Sequence, residues 1–326
     1  MNAISLWTRF LKVNCKYSSQ PVLIVIDPNS SFAEKLAKSL SDAINFLKGS
    51  VQVIDQRNEK LEKVLQELNA FSYVFSFTKL GVRKLKSYSK GKSVSMRDLA
   101  KLNHLIYISF NNLDSAESVF DYPALLQVLL DSNEYNKELL SKYRQLFLPD
   151  KVVKISGPNN SYIKCIVGAD SLVSKPSFCN PSESGNLLGS EIFFWPKPGS
   201  LHGNLSCFLT LRSSKGSFLA KSRVEMVMKE GLLVELNSES NNFEVDVLRK
   251  DLLSGWPCTA RVAEVGVGLN ELINSSGITA MDEKIAGTAH IAFGSNDWFG
   301  GPLSCHLHYD QVFLIDSIEE VKYLND

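Results

Sequence analysis

The sequence predicts two domains, an α/β domain with a mostly parallel sheet over residues 1–150 and an α+β domain over residues 151–326. Up to residue 150, short apolar runs alternate with segments of helical spacing, and from Lys151 onward strand-like runs dominate. A chain of 326 residues also suits two domains of ordinary size.

In the first domain, the apolar run Pro21–Asp27 is typical of a strand buried on both faces. Further strands are predicted at 50–55, 71–78 and 105–110, with helices at 31–48, 59–68 and across the long pattern 122–147. No glycine-rich phosphate loop follows the first strand, so we expect a Rossmann-like scaffold rather than a nucleotide site.

In the second domain, turn residues separate about ten strand-like runs. They include 190–195, 243–248, 260–268, 288–294 and 308–315, and one helix is predicted at 270–276. The pattern is typical of a mainly antiparallel α+β domain.

The overall composition is that of an ordinary globular protein, with 44% hydrophobic residues and a formal net charge of +0. The neutral balance gives no electrostatic reason to expect nucleic acid, and no apolar run reaches the ~18–20 residues of a membrane span. The six cysteines form no CxxC pair. We therefore expect reduced thiols in a cytoplasmic protein, with Cys305 packed in the core.

The segment Asp282–Val312 contains three of the five histidines. His308 and Asp310 are two residues apart, so an extended strand directs both side chains to one face. His290 from a neighbouring element would complete two nitrogens and a carboxylate around one point. This donor set binds Zn, Mn, Fe or Co.

Two glutamates lie in or beside apolar strands. Glu264 interrupts the run 262–268, and Glu191 directly precedes Ile192–Trp195. An unpaired buried carboxylate costs several kcal/mol, so each glutamate needs a cation or a hydrogen-bond donor.

Four sequence blocks resemble the M29 (aminopeptidase T-type) metallo-aminopeptidases. In chain order they are Asn186–Ile192 with Pro196, Ala263–Asn270, Asp282–Gly294 and Leu307–Asp310. The third, DEKIAGTAHIAFG, matches the family's DEK-x-x-GT-x-H-x-A-x-G block almost letter for letter. The resemblance implies an aminopeptidase T-like fold, a peptide substrate and a homodimer.

The resemblance also implies five protein ligands for a pair of divalent ions (Zn, Mn or Co), which fall on Glu191, Glu264, His290, His308 and Asp310. In such a site a metal-activated water hydrolyses the N-terminal residue of a peptide. Glu191 and Glu264 are expected to act in catalysis as well as in metal binding.

Two alternatives remain open. The Fe(II)-dependent dihydroxypyridine dioxygenases have similar blocks, and there His290, His308 and Asp310 would form a two-histidine, one-carboxylate triad for one iron. The stretch between His290 and His308 also looks short and lacks the tyrosine that the family usually has, which leaves room for a non-catalytic peptide-binding relative.

Two further residues are predicted to contact substrate. His306 would share a strand face with His308, and Trp298 would wall a pocket for an apolar side chain.

Overall fold

The structure, a computed structural model, describes residues 2–58, 60–68, 72–78, 84–86, 93–110, 126–128, 135–174, 178–254 and 257–323. The chain divides into two compact units. The first comprises Met1–Asn133 and Ser174–Gly189, and the second comprises Glu134–Val173 and Ser190–Asp326. The units alternate along the sequence, whereas the prediction placed a single boundary at residue 150.

The described helices, in chain order, are α1 (Ala3–Asn14), α2 (Ser31–Phe46), α3 (Leu61–Glu67), α4 (Met96–Leu102), α5 (Lys137–Leu146), α6 (Phe243–Leu253) and α7 (Thr279–Asp282). The first strands are β1 (Val22–Ile26), β2 (Val51–Asp55), β3 (Tyr73–Phe77), β4 (Lys84–Lys86), β5 (Ser93–Ser95), β6 (Ile106–Phe110), β7 (Val152–Gly157), β8 (Ser161–Ile166), β9 (Leu172–Ser174) and β10 (Ser184–Asn186). The remaining strands are β11 (Glu191–Phe194), β12 (His202–Leu205), β13 (Phe208–Ser213), β14 (Gly216–Leu219), β15 (Val224–Lys229), β16 (Leu232–Ser238), β17 (Val262–Gly268), β18 (Thr288–Gly294), β19 (His308–Leu314) and β20 (Ser317–Val321).

The first unit contains a five-stranded sheet in the order β10–β6–β3–β1–β2, and all its strand pairs are parallel. Apolar side chains of β1, β3 and β6 pack with α3 and α4 in one core cluster. Strands β4 and β5 form a separate two-stranded antiparallel sheet. Ser30 begins α2, because its hydroxyl accepts a hydrogen bond from the backbone amide of Ala33.

The second unit contains a seven-stranded sheet in the order β14–β13–β19–β18–β17–β11–β9 and a six-stranded sheet in the order β16–β15–β12–β8–β7–β20. The six-stranded sheet is antiparallel throughout, and neighbouring strands from β14 to β11 in the larger sheet are also antiparallel. Side chains from both sheets, α5 and α6 share one hydrophobic core. The predicted combination of a parallel sheet with antiparallel sheets is confirmed.

Two element predictions are wrong. Residues 243–248 belong to helix α6 rather than a strand, because the Asn242 side chain accepts hydrogen bonds from the amides of Glu244 and Val245 and starts a helix. Val245, Leu248 and Leu252 then fall on one buried face. Residues 270–276 form no helix, and the short helix α7 follows them at Thr279–Asp282.

The predicted helix 122–147 lies largely outside the described residues, and its described end is α5. Among the described residues, every helix is too short or too polar to cross a bilayer.

Candidate metal site

The five predicted ligands lie on four adjacent strands of the seven-stranded sheet. Glu191 starts β11, Glu264 lies in β17, His290 in β18, and His308 and Asp310 in β19. Along each of these strands, alternate residues pack into the core between the two sheets, as Val265 and Val267 do in β17. The side-chain period of two therefore directs all five functional groups to the opposite face.

The imidazole and carboxylate groups form one connected cluster. His290 Nε2 lies 3.2 Å from Glu264 Oε1 and 3.8 Å from Glu191 Oε2. His308 Nε2 lies 3.5 Å from Glu264 Oε2 and 3.3 Å from Asp310 Oδ1. Glu264 is therefore shared, since each of its oxygens faces a different histidine.

The cluster contains two groups of three residues, and within each group the ligand atoms all lie within 4.8 Å of one another. One group is Glu191, Glu283 and His290, and the other is Glu264, His308 and Asp310. We call the first the inner group because all its members are buried, and the second the outer group because His308 and Asp310 are partly exposed.

The backbone leaves room for the His290 ring at Gly266, which is its cross-strand partner. A Cβ atom at Gly266 would lie 2.2 Å from His290 Cε1 and 2.3 Å from Nε2, closer than real Cβ contacts. Glycine at this position is therefore part of how the sheet accommodates the imidazole.

A backbone contact orients His308. Its Nδ1 lies 2.7 Å from the carbonyl oxygen of Ser295. Because a carbonyl only accepts, Nδ1 carries the proton and donates, and Nε2 faces Glu264 and Asp310. Metal-binding histidines commonly have such a partner on the nitrogen that does not face the metal.

Sequence reasoning missed two members of the site, Glu283 and Lys284. The Lys284 ammonium group is 1% exposed, pairs with Glu191 and lies 2.7 Å from Glu283 Oε1. These residues reach the site because the segment runs parallel to the end of β17, where the Asn270 amide donates to the Lys284 carbonyl at 2.8 Å. The only sequence signal was their place in the DEK block.

The carboxylates change the titration of both histidines. Burial lowers the pKa of each imidazole, but the surrounding carboxylates outweigh it and raise the pKa of His290 to about 9 and of His308 to about 10. Burial raises the pKa of the Asp310 carboxyl, yet neighbouring His308 holds it below its usual range. Burial raises the pKa of Glu264 as well, so Glu264 and His290 compete for one proton. We assign it to His290, which also faces Glu191 and Glu283.

The two predicted substrate contacts differ in position. Trp298 lies beside the cluster, with its ring centroid 6.0 Å from that of His308. His306 is exposed and groups with Cys258 and Cys305, and its Nδ1 lies 3.9 Å from Cys305 Sγ.

The expectation that all cysteines are reduced is wrong for two of them. Cys258 and Cys305 form a disulfide, with a Cα–Cα distance of 5.7 Å. Cys305 is accordingly a half-buried crosslinking residue rather than a core thiol. The pairing joins residues 47 positions apart, and no spacing rule reveals such a pair.

The donor set fits a divalent cation. Three buried atoms of the cluster, Glu264 Oε2, Glu283 Oε2 and His290 Nδ1, have no hydrogen-bond partner among the described residues. Unpartnered buried carboxylate oxygens are costly, and a cation would remove that cost. Imidazole nitrogen with carboxylate oxygen is the donor chemistry of Zn, Mn, Co and non-haem Fe.

Comparison with known proteins gives matches at the level of structure only. No family model matches the sequence, and no curated protein matches it. The structure of 2,5-dihydroxypyridine dioxygenase from Pseudomonas putida KT2440 matches with a TM-score of 0.69 and 14% identity, over 99% of this chain and 94% of that one. Wild-type AmpT from Thermus thermophilus matches with a TM-score of 0.58 and 15% identity, over 98% of this chain and 94% of AmpT.

Both proteins are of the kinds that the sequence blocks resemble, so the resemblance is confirmed for the fold. The chain has a fold similar to that of aminopeptidase AmpT and of the dihydroxypyridine dioxygenase.

Proposed function

We propose that this protein is a divalent-metal-dependent aminopeptidase, which removes the N-terminal residue of peptides. The observation that carries the proposal is the convergence of five imidazole and carboxylate groups from four strands, with one oxygen of shared Glu264 that accepts no hydrogen bond from the described residues. The cluster contains four carboxylates but only one lysine, whose ammonium group contacts Glu191 and Glu283, and this excess of negative charge favours cations.

Within the outer group, His308 and Asp310 are the ligands that a substrate can approach. His308 and Asp310 have 23% and 14% of their side chains exposed, whereas Glu264 has 5%. Glu264 is suited to bridge two ions, because its two oxygens face His290 and His308 separately. A bound ion would supply Lewis-acid polarisation of the peptide carbonyl and a lowered pKa of water.

Within this proposal, Glu283 is the best candidate for proton transfer. Its Oε1 accepts from Lys284, whereas its Oε2 has no hydrogen-bond partner among the described residues. Burial raises the pKa of this carboxyl, which brings it closer to the operating pH of a general acid or base. The excess negative charge would favour a substrate with a free, positively charged α-amino group.

The test is hydrolysis of a dipeptide amide before and after chelation. We expect loss of activity with chelator, recovery with Zn, Mn or Co, and no cleavage of the same peptide with an acetylated amino group. Equal cleavage of the acetylated peptide, or activity that survives chelation, contradicts the proposal.

A second candidate function is Fe(II)-dependent cleavage of an aromatic ring. It is favoured by Lys284, whose ammonium group already neutralises part of the inner group, so that a single ion would balance the remaining negative charge of the cluster. His290, His308 and Asp310 would then be the iron ligands. Consumption of oxygen with a dihydroxypyridine separates this function from peptide hydrolysis, which proceeds without oxygen.

A further inference from the structure

Trp298 is an exposed aromatic side chain beside an otherwise well-buried cluster. It is 53% exposed, although its ring centroid is only 6.0 Å from that of His308. Single exposed apolar residues are common on proteins and need no explanation by themselves. Trp298 differs from such residues in two respects: it lies beside His308, and buried hydrogen bonds fix the backbone that carries it.

Trp298 lies in the connection between β18 and β19, and buried hydrogen bonds hold this connection in place. The Asn296 side chain is 1% exposed, donates to the carbonyl of Ala263 at 2.9 Å and accepts from the amide of Leu303 at 2.7 Å. The Gly301 amide donates to the Asn296 carbonyl at 2.9 Å. A Cβ atom at Gly301 would lie 2.2 Å from Asn296 Oδ1, so glycine permits this close turn. These contacts fix the backbone on either side of Trp298.

Trp298 packs in a row of three aromatic rings that reaches the sheet face on which the predicted ligands lie. Its ring centroid lies 4.5 Å from that of Phe299, and Phe299 lies 5.4 Å from Phe193 in an edge-to-face arrangement. Phe193 is two residues after Glu191 in β11, so both project from the same sheet face. The row therefore links an exposed aromatic surface to the predicted ligands.

We propose that Trp298, supported by Phe299, is a subsite for a flat apolar group of the substrate, preferably an aromatic ring, held beside His308. Aromatic rings pair favourably at such distances, and a rigid partner loses little freedom on binding. This inference rests on substrate binding at the proposed site, but not on which reaction follows. The ring belongs either to the N-terminal side chain of a peptide or to a small aromatic compound.

The experiment is calorimetric titration of the Mn²⁺-loaded protein with L-phenylalaninamide, L-alaninamide and a hydroxypyridine. We expect the unmodified protein to bind at least one ring compound about tenfold more tightly than L-alaninamide. Trp298→Ala is expected to abolish this preference, and Trp298→Phe to retain a large part of it. Preference for L-phenylalaninamide identifies a peptide side chain as the source of the ring, and preference for the hydroxypyridine identifies a small aromatic compound.

The matched control is Phe243→Ala, which removes another exposed aromatic of the second unit, 71% exposed at the start of α6. This variant is expected to keep the full preference. Elemental analysis of each variant verifies that the metal content is unchanged. The inference is overturned if no ring preference exists, or if Trp298→Ala keeps it. A ring preference without peptide turnover supports the subsite while refuting the proposed aminopeptidase activity, so the two failures are distinguishable.

Discussion

The inner and outer groups of the cluster each contain two carboxylates and one histidine but differ in how their charge is balanced. In the inner group, the buried ammonium of Lys284 bridges Glu191 and Glu283. In the outer group, the ion-pair partner of Asp310 among the described residues is His308, and those of Glu264 are His308 and His290. The outer group therefore has the stronger need for an external cation, and its partial exposure provides access.

The largest effect is expected from Glu264→Gln, which alters the carboxylate shared by both groups. The amide keeps the shape of the side chain but removes the negative charge between His290 and His308. We expect the metal affinity to fall at least about 100-fold and peptide turnover at least about 1,000-fold. Metal titration and turnover assays measure these losses, and circular dichroism verifies the fold. Turnover within tenfold of the unmodified protein would contradict a shared role for Glu264.

The charge balance of the inner group is tested by Lys284→Met. Without the ammonium group, the buried carboxylates of Glu191 and Glu283 lose their nearest cation, and breaking such a pair typically costs about 3–5 kcal/mol. Urea unfolding of chelator-treated protein measures the free energy of unfolding.

The matched control is Lys151→Met, which removes a solvent-exposed ion pair with Glu320 at 2.7 Å. An exposed pair contributes about 0–1 kcal/mol, so this variant should lose little stability. Equal losses in the two variants would contradict the special role of Lys284.

A third prediction concerns the disulfide between Cys258 and Cys305, which stabilises the connection next to the outer group. Cys305 lies in the β18–β19 connection, whose Ser295 carbonyl orients His308. We expect Cys305→Ser to lower the free energy of unfolding by about 2–4 kcal/mol under oxidising conditions. Thermal unfolding with and without a dithiol reductant measures this loss. The reductant should destabilise the unmodified protein and leave the variant unchanged, and a variant that still responds to it would refute the crosslink.

A smaller effect concerns pH in the metal-free protein. The folded pKa of His308, about 10, lies above its ordinary value of 6.5. The stabilisation that this gives is fully present below about pH 6.5 and is lost as the pH rises through 10. We expect the free energy of unfolding to decline between pH 7 and 10, and the decline to be weaker in His308→Gln. Urea unfolding at several pH values measures the slope, and the same slope in the variant would exclude His308 as its source.

The sequence predicted the outer group better than the inner group. His308 and Asp310 share a face by strand alternation alone, and Glu264 stands out as a carboxylate within an apolar strand, whereas Glu283 of the inner group was missed. The role of Lys284 depends on a chain segment that pairs with the end of β17, and the disulfide joins two residues far apart in the sequence. Neither is encoded by local periodicity. The misassignment of α6 has a different cause: Phe243, Val245 and Val247 alternate as in a strand, whereas the Asn242 cap determines that the segment is a helix.

The central claim is that these residues bind a divalent cation, and elemental analysis of the purified protein tests it most directly. We expect one or two Zn, Mn, Co or Fe ions per chain, removable by chelator and absent or strongly depleted in Glu264→Gln. A protein without bound metal, whose melting temperature is unchanged by any of these ions, would contradict the account.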